Sequence, residues 1–422
     1  MTTPNTVRRI TRIEEAARIF YQSLNSTRLD TESLPTQDGL GRVLAADVVA
    51  PADIPSADQS AVDGYAVMAK DTFSASPGNP ALLRLSSSGS VFDTILNDGE
   101  ALYVYTGSPI PQGADAVVMI EFTEKTDIGS IEVCKAVAPG EDVSWKGEDV
   151  KKDETVLRDG TRLQPQDLGM LAAMGYQMIQ VYRKPLVGIL ATGSELAPLG
   201  SEKRRGQVTD VNSIILSAMV THHGGTPLRL GSVEDDLQQI KLRIMKGLEK
   251  CDLLIISGGT SEGQADLTVK AIDSLGKPGV VVHGIAMRPG RPTALASLNG
   301  KPIINLSGYP VAAMIGFYVF GKPLLSKMLR TTEEPWPCVR ARATRRMASS
   351  SGLRSHVRVA VSRRGGELVA DPVRSTGSGI ISSMTKANGL VVIPEDVEGV
   401  DENEEVDVFL FRPLEQKRGE GA

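Results

Sequence analysis

The stretch "LLIISGGTSEGQAD", Leu253 to Asp266, decides the fold. Its leading apolar residues read as a parallel-sheet strand covered on both faces, because such strands lose the polar/apolar alternation of a half-exposed strand. Gly258, Gly259 and Gly263 then permit positive φ and close backbone approach. Downstream, "ADLTVKAIDSL" carries Leu267, Ala271, Ile272 and Leu275 on one helical face. Strand, glycine loop and helix N-terminus in that order suit an anion. The plainer alternative is a tight turn with Asp266 as helix N-cap. The spacing of Gly258 and Gly263 fits a P-loop, but Gln264 stands where the lysine belongs and Ala265 where the magnesium-binding hydroxyl belongs, which argues against an ordinary P-loop NTPase.

Working outward, the chain from Lys184 alternates strand and helix: "PLVGILATG", a helix from about Asn212 to His222, "LRLGSV", a helix from about Asp236 to Leu248, then the opening strand. That alternation predicts a parallel sheet with right-handed crossovers, whose ligands bind beyond the strands' C-terminal ends. "IINLSGYPVAAMIGFYVF" closes this domain with a long apolar helix beginning near Pro310. Toward the N-terminus, "TRIEEAARIFYQSL" predicts a helix, "GRVLAADVVAPADIP" a strand ended by prolines, and "PQDLGMLAAMGYQMIQV" a helix with Pro165 in its first turn and Gly175 after its last. Between them lie short Val-, Leu- and Tyr-rich runs punctuated by turn signals, the pattern of an inserted β-rich domain. After "EEPWP", runs such as "HVRVAVS" and "VDVFLF" predict a separate β domain. The expected organisation is 1–50 with 141–183 as a linking and dimerisation domain, 51–140 as the β-rich insertion, 184–332 as the α/β domain and 338–415 as the C-terminal β domain.

A chain of 422 residues suggests two to four domains. The balance of 46 Lys+Arg against 51 Asp+Glu, net −5, supplies no broad basic face, and 4% aromatic residues give few stacking platforms, so nucleic acid is not an expected partner. Cys134, Cys251 and Cys338 lack metal spacing and read as thiols of a reducing compartment. No run approaches the ~18 apolar residues of a membrane span. The expectation is a soluble, cytoplasmic protein of small-molecule chemistry, without a membrane.

The acidic candidates of the α/β domain are Glu195, Asp210, Asp235 and Asp266, each at a predicted strand exit or helix entrance. Singly, each reads as a cap; together on one sheet edge they suit a magnesium–phosphate site. "MRPGRP" offers Arg288 and Arg291 on a loop stiffened by prolines, and arginine forks suit tetrahedral oxyanions, with a solvated turn as the alternative. His283 and His356 stand isolated in sequence, and His222 and His223 read as a helix C-terminus. In the insertion, Asp63-Gly64 reads as an Asx-turn.

The segments "SAVDGYAV" (60–67), "TGSPIPQGADAVVM" (106–119), "ATGSEL" (191–196), "SGGTSEGQAD" (257–266), "RPGRP" (288–292) and "LSGYPVAA" (306–313), in this order across nearly the whole chain, resemble the molybdopterin molybdotransferase (MoeA) family, which includes the E domain of gephyrin. The resemblance implies a parallel α/β molybdopterin-binding domain with an inserted β-rich domain, a linking segment and a C-terminal β-barrel-like domain. It implies a homodimer that inserts molybdate into adenylylated molybdopterin, releasing AMP with Mg2+, with a molybdopterin adenylyltransferase as upstream partner. By motif, Asp63, Thr106, Glu195, Asp235 and Asp266 take catalytic positions, Glu195 and Asp266 also as metal ligands. Asp210, Asn212, Ser213, Gly258, Gly259, Ser261, Arg288, Arg291, Pro292 and Pro310 take binding positions. Ser194 stands where the family usually writes Asp, Glu262 and Gln264 alter the glycine loop, and "LSGYP" replaces "LPGNP". A tungstate-handling paralogue, an adenylyltransferase and a non-catalytic scaffold are the competing readings.

Overall fold

The computed structural model describes residues 10–25, 29–86, 91, 94–259, 266–374 and 377–414. The chain forms two compact units, 1–32 with 41–43 and 180–422, and 33–40 with 44–179.

The first unit is built on a six-stranded sheet in the order Thr226–Val233, Leu186–Thr192, Leu253–Ser257, Lys301–Leu306, Ala294–Leu298, Pro278–His283. The first four strands are parallel, as the strand–helix alternation predicts. The last two pairings are antiparallel, which the alternation does not predict. Asn299 and Gly300, at φ 51° and 77°, join Ala294–Leu298 to Lys301–Leu306 by two residues, far too few for a crossover. Strand Leu253–Ser257 is buried throughout. Helices Leu237–Lys250 and Leu267–Leu275 cover it through Ile240, Ile244, Ala271 and Ile272, packed on Leu190, Leu254, Ile256 and Ile303. Each of these leucine and isoleucine side chains contributes about 1.5–3 kcal/mol by leaving water.

The long helix is interrupted: Pro310–Gly316 and Lys322–Met328 flank a π-helical turn, Phe317–Gly321. The turn precedes Pro323, which has no N–H for the regular i−4 bond. Helix Ile13–Gln22 buries Ile13, Ala16 and Phe20 and packs on strands Pro278–His283 and Ala294–Leu298. In the C-terminal region five strands, Cys338–Ala343, Arg354–Arg364, Glu367–Arg374, Gly389–Ile393 and Glu405–Leu410, close into a barrel. Its interior is filled by Val357, Val359, Val361, Val391 and Val408.

The second unit contains the six-stranded sheet Ala116–Met119, Gly64–Val67, Glu100–Val104, Ala81–Leu85, Ser130–Val133, Thr123–Lys125, packed over Tyr65, Val67, Leu83, Val118 and Ile131. Helix Pro165–Ala173 starts with a Gln164/Asp167 capping box and is followed by Gly175 at φ 81°. The strand expected over "GRVLAADVVAPADIP" shrinks to Val48–Val49, whose pairing with Thr155–Leu157 is irregular and offers no continuous ladder. Among the described residues no helix is long and apolar enough to cross a membrane.

Candidate functional site

The C-terminal ends of the parallel strands fix one sheet edge, and strand Pro278–His283 runs parallel to Lys301–Leu306, since two antiparallel pairings separate them. His283 pairs with Ala294, Ala294 with Asn305 and Asn305 with Ile256, so these four residues lie side by side at that edge. The glycine loop, "ATGSEL" and "MRPGRP" therefore all leave the sheet on the same side.

At the end of Leu186–Thr192, Gly193 N–H donates to Val233 O at 3.0 Å, tying two strand exits together. Glu195 is exposed, its carboxylate folded over Gly193. Asp235 and Ser194 bond reciprocally: Ser194 N–H donates to Asp235 Oδ2 at 3.4 Å, and Asp235 N–H donates to Ser194 Oγ at 3.1 Å. The N-cap of the following helix is Asp236, which accepts from Gln239 N at 2.8 Å, so Asp235 has no capping duty. Asp210 accepts from Ser213 N at 3.0 Å and from the Ser213 hydroxyl. Asn212 is buried, and its Nδ2 donates to Ser257 Oγ at 2.7 Å and Gly308 O at 2.8 Å, joining the helix start to two further strand exits beside Pro310.

Gly258 and Gly259, at φ 113° and 67°, need the freedom their sequence suggests: a Cβ on Gly258 would meet Thr192 O at 2.2 Å, and one on Gly259 would meet Thr268 Oγ1 at 2.2 Å. Ser261, Glu262 and Gln264 lie outside the described residues. Asp266 is the N-cap of Leu267–Leu275, accepting from Val269 N at 3.2 Å, as the plainer reading holds. It does more than cap. Its side chain is 4% exposed, and Oδ2 lies 2.9 Å from His283 Nε2 without making a hydrogen bond. Thr192 Oγ1, Asn212 Oδ1, Thr268 Oγ1 and both side-chain atoms of Asn305 are likewise buried without a hydrogen-bond partner. Buried polar groups ordinarily find partners, so five residues at one edge with orphaned atoms mark a place prepared for a polar ligand. Among the described residues no three His, Cys, Asp or Glu side chains cluster as a metal cage.

Arg288 and Arg291 are exposed on their loop; Arg288 Nη1 donates to Ser350 Oγ at 3.2 Å, and Arg291 O accepts from Ile285 N at 2.8 Å. Pro292 is half-buried beside Arg291. In the second unit Asp63 and Thr106 meet directly: Asp63 Oδ1 accepts from Thr106 N at 2.7 Å and from Thr106 Oγ1 at 2.8 Å. This replaces the Asx-turn expected for Asp63. Those two bonds to the ionised form hold the Asp63 carboxyl below the usual carboxylate range.

Thr192, Thr268, His283 and Asn305 carry no weight in the sequence reading. His283 stood there as isolated, yet it touches Asp266. The available signals were a threonine closing an apolar strand and an asparagine inside one.

A family model described as "MoeA N-terminal region (domain I and II)" matches residues 11–175. "Probable molybdopterin binding domain" matches 188–327, and "MoeA C-terminal region (domain IV)" matches 340–411. A putative molybdopterin biosynthesis protein of Methanocaldococcus jannaschii is 37% identical over 411 residues, covering 95% of this chain and 98% of that one. The molybdopterin molybdenumtransferase of Bacillus subtilis is 34% identical over 389 residues, covering 91% and 90%. The solved molybdopterin biosynthesis moeA protein of Pyrococcus horikoshii OT3 superposes with TM-score 0.81 at 35% identity, over 96% of this chain and 100% of that one.

Proposed function

Because the chain belongs to the molybdopterin molybdotransferase (MoeA) family, a transferase family of molybdenum cofactor biosynthesis, we propose that the orphaned polar edge of its α/β sheet receives adenylylated molybdopterin and that molybdate is delivered there with release of AMP. The observation that carries this reading is the set of buried oxygen and nitrogen atoms without a hydrogen bond on Thr192, Asn212, Asp266, Thr268 and Asn305, beside Gly258 and Gly259, where an added Cβ would clash with Thr192 and Thr268. Gly258, Gly259, Asn212 and Ser213 bind the pterin nucleotide, with Ser261 in the same loop. Asp210 orients Ser213, and Pro310 fixes the turn that follows Gly308.

Magnesium suits this donor set. It prefers one or two carboxylates, retained waters and substrate phosphates, so three clustered protein ligands are not required. The buried Asp266 Oδ2 makes no hydrogen bond, with His283 Nε2 its 2.9 Å neighbour, and Glu195 and Asp266 would hold the ion. When bound, it supplies charge to the leaving phosphate. Asp235 completes the acidic edge. Arg288 and Arg291, with Pro292 stiffening the loop, bind the molybdate oxygens as forked donors. Asp63, kept ionised by Thr106, accepts a proton or orients a water in the reaction. The protein acts in the cytoplasm as a homodimer fed by a molybdopterin adenylyltransferase, and its functional division follows 51, 141, 184 and 338. Light scattering that returns a single chain mass would remove the dimer.

The test is incubation of purified protein with adenylylated molybdopterin, molybdate and Mg2+, following AMP release and metal insertion. Formation of the adenylylated compound from ATP would indicate an adenylyltransferase instead. Absence of both reactions would leave a scaffold. Preferential insertion of tungstate would identify the paralogue reading.

A further inference from the structure

We infer that His356 is a positioning residue for the Arg288–Pro292 loop, so that the C-terminal barrel sets the geometry of the arginine pair; the inference rests on reading that loop as the oxyanion site.

Barrel strand Arg354–Arg364 turns Val357, Val359 and Val361 into the apolar interior, so by strand alternation Arg354, His356 and Arg358 face outward. Outward residues of a small barrel are ordinarily wet. Here His356 is 9% exposed and Arg358 1%. Along this strand runs Met287–Arg288, paired in parallel with Met287 opposite Arg354 and Arg288 opposite Ser355, while Arg354 N–H donates to Ala286 O at 2.9 Å. The loop that carries the two arginines is thus entered from a short strand belonging to the barrel's outer surface.

The His356 side chain hydrogen-bonds the Arg288 backbone. Its Nδ1 is buried without a partner, so the bond comes from the other ring nitrogen, with Nε2–H donating to the carbonyl of Arg288. Burial, followed by the nearby Arg354 charge, pushes the imidazole pKa down to about 4, which keeps the ring neutral with one fixed donor. The strand behind it is anchored independently: Arg354 pairs with Glu14 at 2.6 Å and with Glu395 at 3.0 Å. Beyond Arg288 the loop bends at Gly290, φ 111°, whose carbonyl accepts from Thr293 N at 3.0 Å and from Thr293 Oγ1 at 2.7 Å, so the far side of the loop is held from within. At the near side, the strand pairing sets the backbone of Met287–Arg288, and the bond from His356 to the Arg288 carbonyl adds a barrel side chain to the residue where the loop begins. Positioning errors near 1 Å cost up to ~100-fold where groups must meet a substrate in register.

The experiment compares His356→Leu, His356→Gln and His356→Asn with Arg291→Ala in the full-length protein. Molybdate binding is measured by equilibrium dialysis, and turnover is measured against molybdate and against adenylylated molybdopterin separately. Glutamine places its amide nitrogen where Nε2 sits; asparagine reaches only as far as Nδ1. We expect His356→Leu and His356→Asn to weaken molybdate binding about tenfold and raise its half-saturation by the same factor, with adenylylated molybdopterin unaffected, and His356→Gln to stay within about twofold of wild type. Equal behaviour of Gln and Asn would overturn the inference, as would equal loss of both substrates. If Leu fails to fold, the Gln/Asn pair still decides. If Arg291→Ala weakens molybdate binding while all three His356 variants bind normally, only the positioning role fails. If Arg291→Ala leaves molybdate binding intact, the oxyanion reading of the loop fails, and this inference with it.

Discussion

Two carboxylates bracket the glycine-loop strand, and their surroundings differ. Before Leu253, Asp252 accepts both arms of the Arg183 guanidinium at 2.7 Å and Leu186 N–H at 2.8 Å. After the loop, Asp266 accepts one weak cap bond at 3.2 Å and keeps a buried oxygen without a hydrogen bond. The sheet is thus satisfied at its N-terminal end and left open at its C-terminal end. The difference follows from topology: all the parallel strands deliver loops to one edge, and a ligand can compensate there for what the protein leaves unpaired. The closed end serves stability, and the open end is available for chemistry.

The largest expected effect breaks the open end. Asp266→Asn keeps the cap, since Asn and Asp cap about equally well, but removes the charge. Turnover should fall roughly 100-fold, the scale for losing one charged group beside a metal or phosphate, while unfolding is almost unchanged. A variant that retains full turnover, or that simply unfolds, would make the two ends equivalent.

Asp252→Asn should do the opposite. Burial alone would raise this carboxyl's pKa, but the Arg183 fork and the Leu186 N–H outweigh it and hold the group below the usual range. A native pKa below the unfolded value adds stability above the unfolded pKa, near 4, and the gain is lost as pH falls through the native value. Replacement should cost about 2 kcal/mol at neutral pH, since the pair is only part-buried, with turnover per folded molecule unchanged. The gap between variant and wild type in chemical denaturation should persist above the unfolded pKa and close as pH falls through the lowered native pKa. A gap that widens in acid would reverse the assignment.

Much of this contrast was readable in the sequence. The apolar run at Leu253, helix Asn212–His222 and the carboxylates at strand exits depend on local periodicity and caps. What was not readable depends on which strands become neighbours. His283 reaches Asp266 only because Pro278–His283 joins the sheet edge by antiparallel pairing, and the signal for that pairing was Asn299-Gly300, a two-residue hairpin turn overlooked beside the strand–helix alternation. His356 reaches Arg288 through a pairing between segments 67 residues apart, Met287 with Arg354, which no local pattern announces.

A smaller effect separates neighbours within the open edge. Asp236 caps its helix and Asp235 does not. Asp236→Ala should cost about 1 kcal/mol of stability with turnover intact, whereas Asp235→Ala should lower turnover with little change in stability. If denaturation and assay rank the two alike, the division of labour between them is wrong.

The smallest effect concerns Ser194, at the position where the family resemblance implies aspartate. Its backbone N–H and its hydroxyl each bond Asp235, so serine closes a small reciprocal turn without adding charge. Ser194→Asp keeps an acceptor for the Asp235 N–H but sets a second carboxylate beside the first. Both residues are exposed, so water and salt screen the repulsion to a few tenths of a kcal/mol in stability. A divalent ion relieves the same repulsion, and its apparent affinity should therefore rise by about twofold to threefold, read as a lower Mg2+ concentration for half-maximal turnover. Salt should erase the gain, because the added interaction lies in solvent. An unchanged Mg2+ requirement at low ionic strength would place Asp235 outside the reach of the cation and confine the open edge to Glu195 and Asp266.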